Sequence, residues 1–467
     1  MPLPDLIEIV PLDKPVRAEI TVPGSKSITN RALILAALAD GDVTLQGALW
    51  SEDTQVMVEA LRTLGFEIEI EPDPEEFCNR TITVNGLGGR ILNAGTAEKP
   101  LELFVGNAGT AARFLAVLVC LGTGVYRLSG VRRMHERPQA ALFQALRELG
   151  YRADSPNDKL PVTIFGKNAF PRVPDLNRKD GDAVERVPTK RACTVSIEDS
   201  SQFASALLLC SKHGGWEVKV GGENAEESPY VVMTERLKEV FPARGGSFRV
   251  EPDASGGSYF WSAGWLAYLI ELDRKVKRSG GWAGSPVFVR NWPETGWQID
   301  AEYPDFLPLP QRISREGQLG DSIMTALILA ADDDASKDWG WGESPKFVQF
   351  TDLGRLRIQE CERVVALRTE LTKCGAKVVE EDDTLTVYPS KLHSAEIDTY
   401  NDHRMAMCFA ILGLKVPGIK IKNPSCVKKT FPNFFQKLAA PPPKGLGARI
   451  LDAKTGIKLE MSELFAV

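Results

Sequence analysis

The sequence predicts an α/β protein of more than one domain, built from a repeated unit of helix, glycine and strand. A chain of 467 residues is too long for one hydrophobic core. A segment with a polar start, an apolar helix, a glycine and a strand recurs along it. Between these segments lies a second pattern, in which an amphipathic helix leads through a glycine into strands of alternating polarity.

The first pattern has four clear copies and two incomplete ones. The clear copies span residues 25–47, 106–130, 200–222 and 401–424. The incomplete copies, at 253–269 and 319–333, have no convincing strand. Helices that are apolar on nearly every side must lie in a closed interior. We therefore predict βαβ-like units with these helices inside, in preference to a solenoid.

The amphipathic helices of the second pattern alternate with the apolar ones. This pattern appears at 58–73, 142–166 and 367–389, with a weaker copy at 233–253. Leucines three and four residues apart predict helices with one buried face. The alternating residues after each glycine predict half-buried strands.

Composition and charge exclude several classes of protein. Hydrophobic residues make up 43% of the chain and charged residues 25%, as in ordinary globular proteins. The net charge of −6 argues against nucleic acid or an anionic membrane as partner. No run of about 18 apolar residues is present, so no membrane-spanning helix is expected. The first residues lack the pattern of a secretory signal, which predicts a cytoplasmic protein.

The cysteines predict buried thiols. All 8 lie far apart in the sequence and none forms a C-x-x-C pair. Such spacing does not suit a disulfide framework or a zinc site. With only 4 histidines in the chain, we expect no metal site.

Cations stand at helix starts where acidic residues would be favourable. Lys26 and Arg31 open the first copy, Arg113 lies in the first turn of the second, and His403 and Arg404 open the copy at 401–424. A cation near a helix N-terminus is unfavourable by about 0.3–1 kcal/mol. Either a nearby carboxylate neutralises each cation, or the helix starts converge on an anionic ligand. Because the same arrangement of cations recurs at several helix starts, we favour the second alternative, an anionic ligand.

Six motifs, in one order, resemble those of the 5-enolpyruvylshikimate-3-phosphate synthase family. They are PGSKSITNRALILAAL, GNAGTAARF, HERP, SSQFASALLL, YNDHRMAM and KKTFPNFF, and the resemblance extends from about residue 15 to 438. It implies a two-domain inside-out α/β barrel fold built from six βαβ-type repeats. One domain would contain residues 25–250 and the other 1–24 with 251–440, which leaves 441–467 as a tail of unknown role.

The same resemblance implies a reaction. The enolpyruvyl group of phosphoenolpyruvate would pass to the 5-hydroxyl of shikimate 3-phosphate with release of phosphate, a step of chorismate and aromatic amino acid biosynthesis. Both substrates are small polyanions, which suits the cations at the helix starts. Proton transfer and charge stabilisation would carry the chemistry, so no cofactor is expected. The expected partners are these two small molecules, and the expected state is a monomer.

The resemblance also implies site residues at matching positions. The expected ligands of shikimate 3-phosphate are Lys26, Ser27, Arg31, Ser200, Ser201, Gln202, Ser228 and Asp321. Those of phosphoenolpyruvate are Lys26, Asn107, Gly109, Arg137, Gln202, Arg363, Arg404 and Lys429. As catalytic residues, Asp321 would be the base near the 5-hydroxyl, Glu360 the acid that protonates the methylene carbon, and Lys26 would touch both substrates. An acid in the role of Glu360 needs a pKa raised by burial or by like charge.

Outside their motifs some of these residues would have simpler roles. Ser200 and Asp321 stand at helix starts, where an N-cap is the ordinary role, and Arg137 would be a surface cation. Asp402 either orients Arg404 or caps its helix.

The chain departs from the family's usual residues at three positions. Gln359 and Arg355 stand where the family usually has a lysine and an asparagine, and Glu227 stands where it has a serine. Glutamine supplies neither charge nor a proton at neutral pH. We therefore expect Arg355 or Arg357 to restore the cation. Because a carboxylate would repel a phosphorylated substrate, we expect Ser228 to take over the serine contact.

Other functions stay open at this point. An enolpyruvyl transferase acting on a UDP-sugar is one, although HERP, SSQF and YNDHRMAM favour the shikimate enzyme. A homologue that binds shikimate-pathway metabolites as a sensor without turnover is another, and Gln359 is the argument for it. A P-loop ATPase is excluded because PGSKS lacks the preceding G-x-x-x-x-G. The segment 270–318, rich in Trp and Gly, is unlike the family.

Overall fold

The computed structural model describes residues 3–167, 191–222, 228–273, 285–333 and 346–466. The α-helices in these ranges are α1 (Lys26–Leu38), α2 (Glu52–Thr63), α3 (Gly109–Leu118), α4 (Arg132–Glu136), α5 (Ala140–Glu148), α6 (Ser201–Gly214), α7 (Pro229–Val240), α8 (Ala254–Asp273), α9 (Ile323–Ala330), α10 (Arg363–Lys373), α11 (His403–Gly413) and α12 (Phe434–Ala439). Glu227, one of the three departures, lies outside the described residues.

The strands are short, and most have three to six residues. They are β1 (Leu6–Val10), β2 (Ala18–Ile20), β3 (Asp40–Leu49), β4 (Ile68–Pro72), β5 (Asn79–Leu87), β6 (Leu101–Phe104), β7 (Val125–Ser129), β8 (Arg152–Asp154), β9 (Val162–Phe165), β10 (Arg191–Ser196), β11 (Trp216–Gly221), β12 (Gly246–Arg249), β13 (Val287–Val289), β14 (Arg312–Ser314), β15 (Val348–Thr351), β16 (Lys377–Glu381), β17 (Thr384–Tyr388), β18 (Ala395–Ile397), β19 (Ile419–Lys422) and β20 (Arg449–Asp452).

All six copies of the apolar helix are present, as α1, α3, α6, α8, α9 and α11. Every residue of α3 and of α9 is buried. The prediction that these helices lie inside is confirmed, since most residues of α1, α6 and α11 are buried as well. The two incomplete copies also have strands, because β13 follows α8 and β15 follows α9 along the chain.

The strands form six separate sheets within the described ranges, and they do not join into a closed barrel there. Their orders are β18-β19-β1-β20, β14-β15-β17-β16, β13-β2, β12-β3-β5-β4, β6-β7-β9-β8 and β10-β11. Each sheet contains one parallel pair. Parallel neighbours need a long crossover. A buried helix lies between the two paired strands along the chain in four of the six cases, as in β6–α3–β7.

At the other two parallel pairs the chain exchanges partners. It runs from β2 through α1 to β3, and from β12 through α8 to β13, yet β2 pairs with β13 and β3 pairs with β12. The two crossing segments lie side by side. The backbone N–H of Ser25 donates to the carbonyl of Glu251 (2.7 Å), and that of Asp253 donates to the carbonyl of Pro23 (2.8 Å).

Buried apolar side chains form two clusters that share no residue. One contains residues from Ile28 to Val250, and the other contains residues from Leu3 to Val22 and from Tyr259 to Ala466. We call them the central core and the terminal core. Division of the chain into domains at 24/25 and 250/251 stays a prediction.

The tail after residue 440 belongs to the terminal core. Strand β20 pairs antiparallel with β1 and places Ile450 opposite Ile9. Leu446 and Leu464 are buried in the same cluster. The tail therefore completes a sheet, which gives it a structural role that no sequence motif indicated.

Two expectations from composition can be compared with the structure. All eight cysteines are free thiols and seven of them are buried, which confirms the prediction of buried thiols. Among the described helices, none combines the length and apolar character that crossing a membrane requires.

Candidate active site

The first turns of the six buried helices line one cavity between the two cores. Their lining residues are Lys26 and Ser27 of α1, Thr110 and Arg113 of α3, Ser201 and Gln202 of α6, Ser255 and Gly256 of α8, Asp321 just before α9, and His403 and Arg404 of α11. Three of these helices come from each core. Helix starts present free backbone N–H groups and a partial positive charge, so their convergence makes an anion site.

Arg31 is buried among neutral partners. Its guanidinium donates to Thr234 Oγ1 (2.8 Å) and Ser205 Oγ (2.9 Å), and it lies 5.4 Å from the centre of the Phe114 ring. Burial lowers its pKa to about 10. No carboxylate lies within 4 Å among the described residues, so its charge is available to a bound anion.

Arg113 and Arg137 meet at the GNAG turn. A Cβ atom at Gly109 would lie 2.6 Å from one guanidinium and 2.7 Å from the other, so a larger residue would displace one of the arginines. Arg113 donates to Gln202 Oε1 (2.8 Å), and burial, with the charge of Arg137, holds its pKa well below the usual range. The Nε atoms of both arginines are buried without a partner in the described structure. Arg113 was not among the predicted ligands, although its place at a helix start was the signal that could have found it.

Lys26, unlike the two arginines, is paired with a carboxylate of the protein. Its ammonium group lies 3.2 Å from the carboxylate of Asp53, which begins α2 together with Glu52. A nearby carboxylate therefore neutralises this cation, while Arg31 and Arg113 have no such partner among the described residues.

Glu360 lies in a cationic environment. Its carboxylate is 2.8 Å from Arg363 Nη2 and 3.1 Å from Lys429 Nζ. Burial alone would raise the pKa of Glu360, but the charges of Lys429, Arg363, Arg137 and Lys26 outweigh it and hold the pKa well below its usual range. The expected upward shift is therefore absent in the free protein, because the cations that would receive a substrate act on the acid itself.

Asp321 is held by three arginines. Arg315 Nη2 lies 2.8 Å, Arg404 Nη2 3.3 Å and Arg363 Nη1 3.7 Å from its carboxylate. Burial raises the pKa of Asp321, but these three charges more than compensate and lower it. The side chain does not cap α9, whose N-cap residue is Ser322.

Asp402 both caps a helix and orients an arginine. Its Oδ1 accepts from the backbone N–H of Arg404 (2.9 Å), which caps α11. Its Oδ2 accepts from Arg363 Nε (2.7 Å). The capping alternative is thus observed, and the arginine that Asp402 orients is Arg363, not Arg404.

Eleven predicted site residues line the cavity, namely Lys26, Ser27, Arg31, Arg137, Ser200, Ser201, Gln202, Asp321, Glu360, Arg363 and Arg404. Ser200 also caps α6, since its hydroxyl accepts from the backbone of Gln202. The other four, Asn107, Gly109, Ser228 and Lys429, lie next to lining residues. Lys429 Nζ is 3.3 Å from the Asn107 carbonyl, and Ser228 Oγ is buried without a partner in the described structure.

The structure separates the two arginines expected to compensate for Gln359. Arg355 lines the cavity, donates to the Ile197 carbonyl (2.9 Å) and lies 3.7 Å from the carboxylate of Glu316, whereas Arg357 bonds to Glu362, Glu380 and Asp383 outside the cavity. Gln359 itself also lines the cavity and accepts from Arg363. Only Arg355 is therefore placed to supply the cation.

The segment 270–318 also contributes charged residues to the cavity. Arg315 and Asp300 line it, and each is 5% exposed. Both lie in the segment 270–318, where no repeat or signature pointed to a site. Within the described ranges, no group of three or more His, Cys, Asp or Glu side chains is arranged to hold a metal ion.

The fold and cavity define an α/β protein with a cavity between two cores that buried cations and carboxyl groups line and that suits small anions. The sequence model of the family described as EPSP synthase (3-phosphoshikimate 1-carboxyvinyltransferase) matches residues 11–269 and 346–438. The chain belongs to this family, as the motifs predict. The unmatched stretch 270–345 contains the segment 270–318 that the sequence sets apart.

Curated relatives match nearly the whole chain. A protein of Trichormus variabilis named 3-phosphoshikimate 1-carboxyvinyltransferase is 34% identical over 462 residues, which cover 93% of this chain and 98% of the relative. A protein of Opitutus terrae with the same name is 36% identical over 479 residues, which cover 94% and 98%.

Solved structures share the fold. EPSP synthase from Acinetobacter baumannii matches with a TM-score of 0.61 at 20% identity, over 95% of this chain and 99% of that one. The enolpyruvyl transferase NikO from Streptomyces tendae matches with a TM-score of 0.59 at 15% identity, over 96% and 99%. The predicted fold, that of the enolpyruvyl transferases, is confirmed.

Proposed function

We propose that this cavity transfers the enolpyruvyl group of phosphoenolpyruvate to the 5-hydroxyl of shikimate 3-phosphate and releases phosphate. The chain is a shikimate-pathway enolpyruvyl transferase by its family, and the proposal assigns the roles of its residues. The observation that carries it is a set of buried arginines, Arg31, Arg113 and Arg137, without a carboxylate within 4 Å among the described residues. Burying cations in this way is costly unless an anion joins them.

Shikimate 3-phosphate is assigned to the side of the cavity formed by α1, α6 and α7. Arg31 supplies the charge, while Ser27, Ser200, Ser201 and Gln202 supply hydroxyl, amide and backbone donors at two helix starts. The unpartnered hydroxyl of Ser228 lies at the start of α7 and is available as a further donor.

Phosphoenolpyruvate is assigned to the side where the GNAG turn meets the terminal core. Arg137, Arg363, Arg404 and Lys429 are its expected ligands, and the structure adds Arg113 as a candidate. Guanidinium groups bind carboxylate and phosphate with two parallel hydrogen bonds. Lys26, whose ammonium group pairs with Asp53, is assigned the contact with both substrates.

Glu360 and Asp321 are assigned the proton transfers. In the addition step the 5-hydroxyl oxygen bonds to C2 of phosphoenolpyruvate, its proton passes to Asp321, and Glu360 protonates C3. In the elimination step C3 returns a proton to Glu360, the C–O bond to phosphate breaks, and phosphate leaves with the proton that the hydroxyl gave up. The charges of bound phosphoenolpyruvate would offset Lys429 and Arg363, which raises the pKa of Glu360 toward the range of an effective acid.

Closure of two domains over the substrates is part of the proposal. Three hydrogen bonds cross the cavity between the cores, from Arg133 to the Gln359 carbonyl (3.0 Å), from Arg355 to the Ile197 carbonyl and from Lys429 to the Asn107 carbonyl. We place the hinge at the paired crossing segments 23–26 and 251–253. One chain supplies both sides of the cavity, which supports a monomer, and the free thiols support a cytoplasmic enzyme.

Phosphate release tests the function. Purified protein is given both substrates, then each alone, and the organic product is weighed by mass spectrometry. Release that needs both, with an enolpyruvyl product of shikimate 3-phosphate, is expected. Binding of shikimate 3-phosphate without release would favour the sensor. Release with a UDP-sugar in place of shikimate 3-phosphate would favour the other transferase.

A further inference from the structure

Asp300 lies against the turn that carries Asp321. It belongs to a short 3-10 helix, Ile299–Phe306, and its Oδ1 accepts from the backbone N–H of Ser322 (2.7 Å). A Cβ atom at Gly320 would lie 2.7 Å from its Oδ2, so the turn passes directly beneath the carboxyl group. Both carboxyl groups line the same cavity. Two buried acids therefore face one substrate site from adjacent elements.

The surroundings of the two acids differ. Asp321 has three arginines within 4 Å, whereas Asp300 forms no ion pair of that length in the described structure. The charges with the largest effect on Asp300 are Asp321, from the turn before α9, and Arg404, from α11, and the titratable Tyr230 of α7 also interacts with it. Burial and the charge of Asp321 raise its pKa to about 6, while Asp321 is shifted the other way. Adjacent acids with pKa values pushed apart are the usual mark of divided acid–base roles.

We propose that Asp300 and Asp321 work as a pair in which Asp321 faces the substrate hydroxyl and Asp300 holds the proton during the addition step. This inference rests on the proposed function, because it concerns the proton of the 5-hydroxyl. Asp321 alone is a poor acceptor, since its three arginines stabilise the charged form. A neighbouring carboxylate with weaker cationic support takes the proton more readily.

The departing phosphate takes up the proton that the hydroxyl loses. As the C–O bond forms, the hydroxyl proton moves through the Oδ atoms of Asp321 to Asp300, while Glu360 gives its proton to C3. As the C–O bond to phosphate breaks, C3 returns a proton to Glu360 and Asp300 releases its proton to the departing phosphate. Both carboxyl groups end the cycle as they began, and no further reactant is required.

Asp300→Asn tests the proposal, because asparagine keeps an oxygen that accepts from Ser322 and loses only the ability to bind the proton. The protein must first be shown to turn over both substrates, so that a failure of the proposed function is seen separately. We expect kcat to fall about 100-fold or more and KM for shikimate 3-phosphate to change less than about threefold.

The pH profile of kcat distinguishes a proton acceptor from a structural residue. At saturating substrate the wild-type kcat is expected to fall as pH drops through about 6, because a protonated Asp300 accepts nothing. The profile of Asp300→Asn should lack this limb, while Asp300→Glu should restore both the limb and part of the lost rate. Titration of the substrate phosphate is common to all variants and cancels in the comparison.

Asp305→Asn is the matched control, since Asp305 is exposed on the same 3-10 helix. It should leave kcat and its pH profile unchanged. An Asp300→Asn enzyme that keeps kcat within fivefold and keeps the limb near pH 6 would overturn the proposal. So would loss of shikimate 3-phosphate binding in both Asp300 variants, since that outcome marks a residue that only supports the fold.

Discussion

Arg355 is the residue that we expect to replace the charge of the family's usual lysine in this chain. It stands in a segment where the usual lysine is replaced by Gln359, and its guanidinium points across the cavity to the Ile197 carbonyl. Arg357, two residues away, is occupied by three carboxylates outside the cavity. The sequence does not show which of the two arginines reaches the cavity. Both lie in a short 3-10 helix, Gly354–Ile358, whose path places only Arg355 there.

Replacing each arginine separately makes a matched pair of variants. Arg355→Gln should raise KM for shikimate 3-phosphate about 10-fold or more. The variant loses the hydrogen bond that the guanidinium would donate to the substrate, and loss of a hydrogen bond from a charged group costs about 1.5–3 kcal/mol. Arg357→Gln should leave both kinetic constants unchanged and affect only stability, by about 1 kcal/mol or less. Steady-state kinetics with both substrates varied measures this. Equal kinetics for the two variants would contradict the assignment.

Asp300 also makes a prediction about stability. Its pKa rises from an ordinary 3.8 to about 6 on folding. Between these values the folded protein holds a proton that the unfolded chain releases, so this group lowers stability as pH rises and its full cost is present above about pH 6. A rise in pKa from 3.8 to about 6 corresponds to a loss of about 3 kcal/mol in the free energy of unfolding.

Urea unfolding at several pH values checks the sign. The stability of Asp300→Asn relative to wild type should increase by about 3 kcal/mol between pH 4 and pH 8. Asp305→Asn, measured in parallel, should show no such trend. A difference between Asp300→Asn and wild type that does not vary with pH would mean that the carboxyl group is not perturbed.

At the scale of elements, the start of α11 joins helix capping to the site. Asp402 caps this helix and holds Arg363, which is 1% exposed and also contacts Glu360. Its carboxylate therefore serves both the fold and the position of a ligand arginine. A substitution that removes the Asp402 side chain would therefore lose the helix cap and the contact with Arg363 together.

Asp402→Asn should destabilise the protein by about 3 kcal/mol, because it keeps a capping oxygen but removes a charge from a buried ion pair. Thermal or urea unfolding measures this loss. Glu362→Gln is the control, since Glu362 caps α10 with a half-exposed side chain and should cost about 1 kcal/mol or less. Equal losses of stability in the two variants would mean that the buried ion pair between Asp402 and Arg363 contributes no more than an exposed one.

Elements could be predicted wherever the residue pattern was local. The six apolar helices and the amphipathic helices follow from spacing alone, because burial on every side or on one side leaves a pattern in the sequence. Strands β13 and β15 could not be predicted, since three or four residues carry too little alternation. The exchange of partners at β2 and β12 was also beyond pattern analysis, because pairing of distant strands leaves no local signal.

The difference between local patterns and distant contacts also explains which site residues could be predicted. Residues inside helix-start motifs, such as Arg31 and Arg404, were predicted and line the cavity. Asp300 and Arg315 were missed because they come from a stretch without a motif and reach the site only through tertiary packing. The pKa of Glu360 was also beyond prediction, since it depends on four cations from distant parts of the chain.

At the scale of the molecule, a buried carboxylate joins the two cores. Glu76, in the segment between β4 and β5, is 3% exposed. It accepts from Thr21 Oγ1 (2.7 Å), Asn433 Nδ2 (2.7 Å) and Lys437 Nζ (2.6 Å), all from the terminal part of the fold. The side chain therefore couples the halves beside the crossing segments.

Glu76→Gln should lower the free energy of unfolding by about 3 kcal/mol, because it leaves Lys437 without its charge partner. We also expect calorimetry to resolve two transitions where wild type shows one, as coupling between the cores weakens. Glu75→Gln, at the exposed neighbouring position, should change neither quantity. A single, unshifted transition in Glu76→Gln would show that the cores are coupled elsewhere.

The position of β1 has a consequence for synthesis on the ribosome. This strand lies between β19 and β20, with Ile7 opposite Ile421 and Asp452. Both of its neighbours emerge more than 400 residues after it, so β1 is paired only late in synthesis. The central core, by contrast, is complete once residue 250 has emerged. Folding during translation should therefore begin with the central core, while β1 stays unpaired and prone to aggregation until β19 and β20 have emerged.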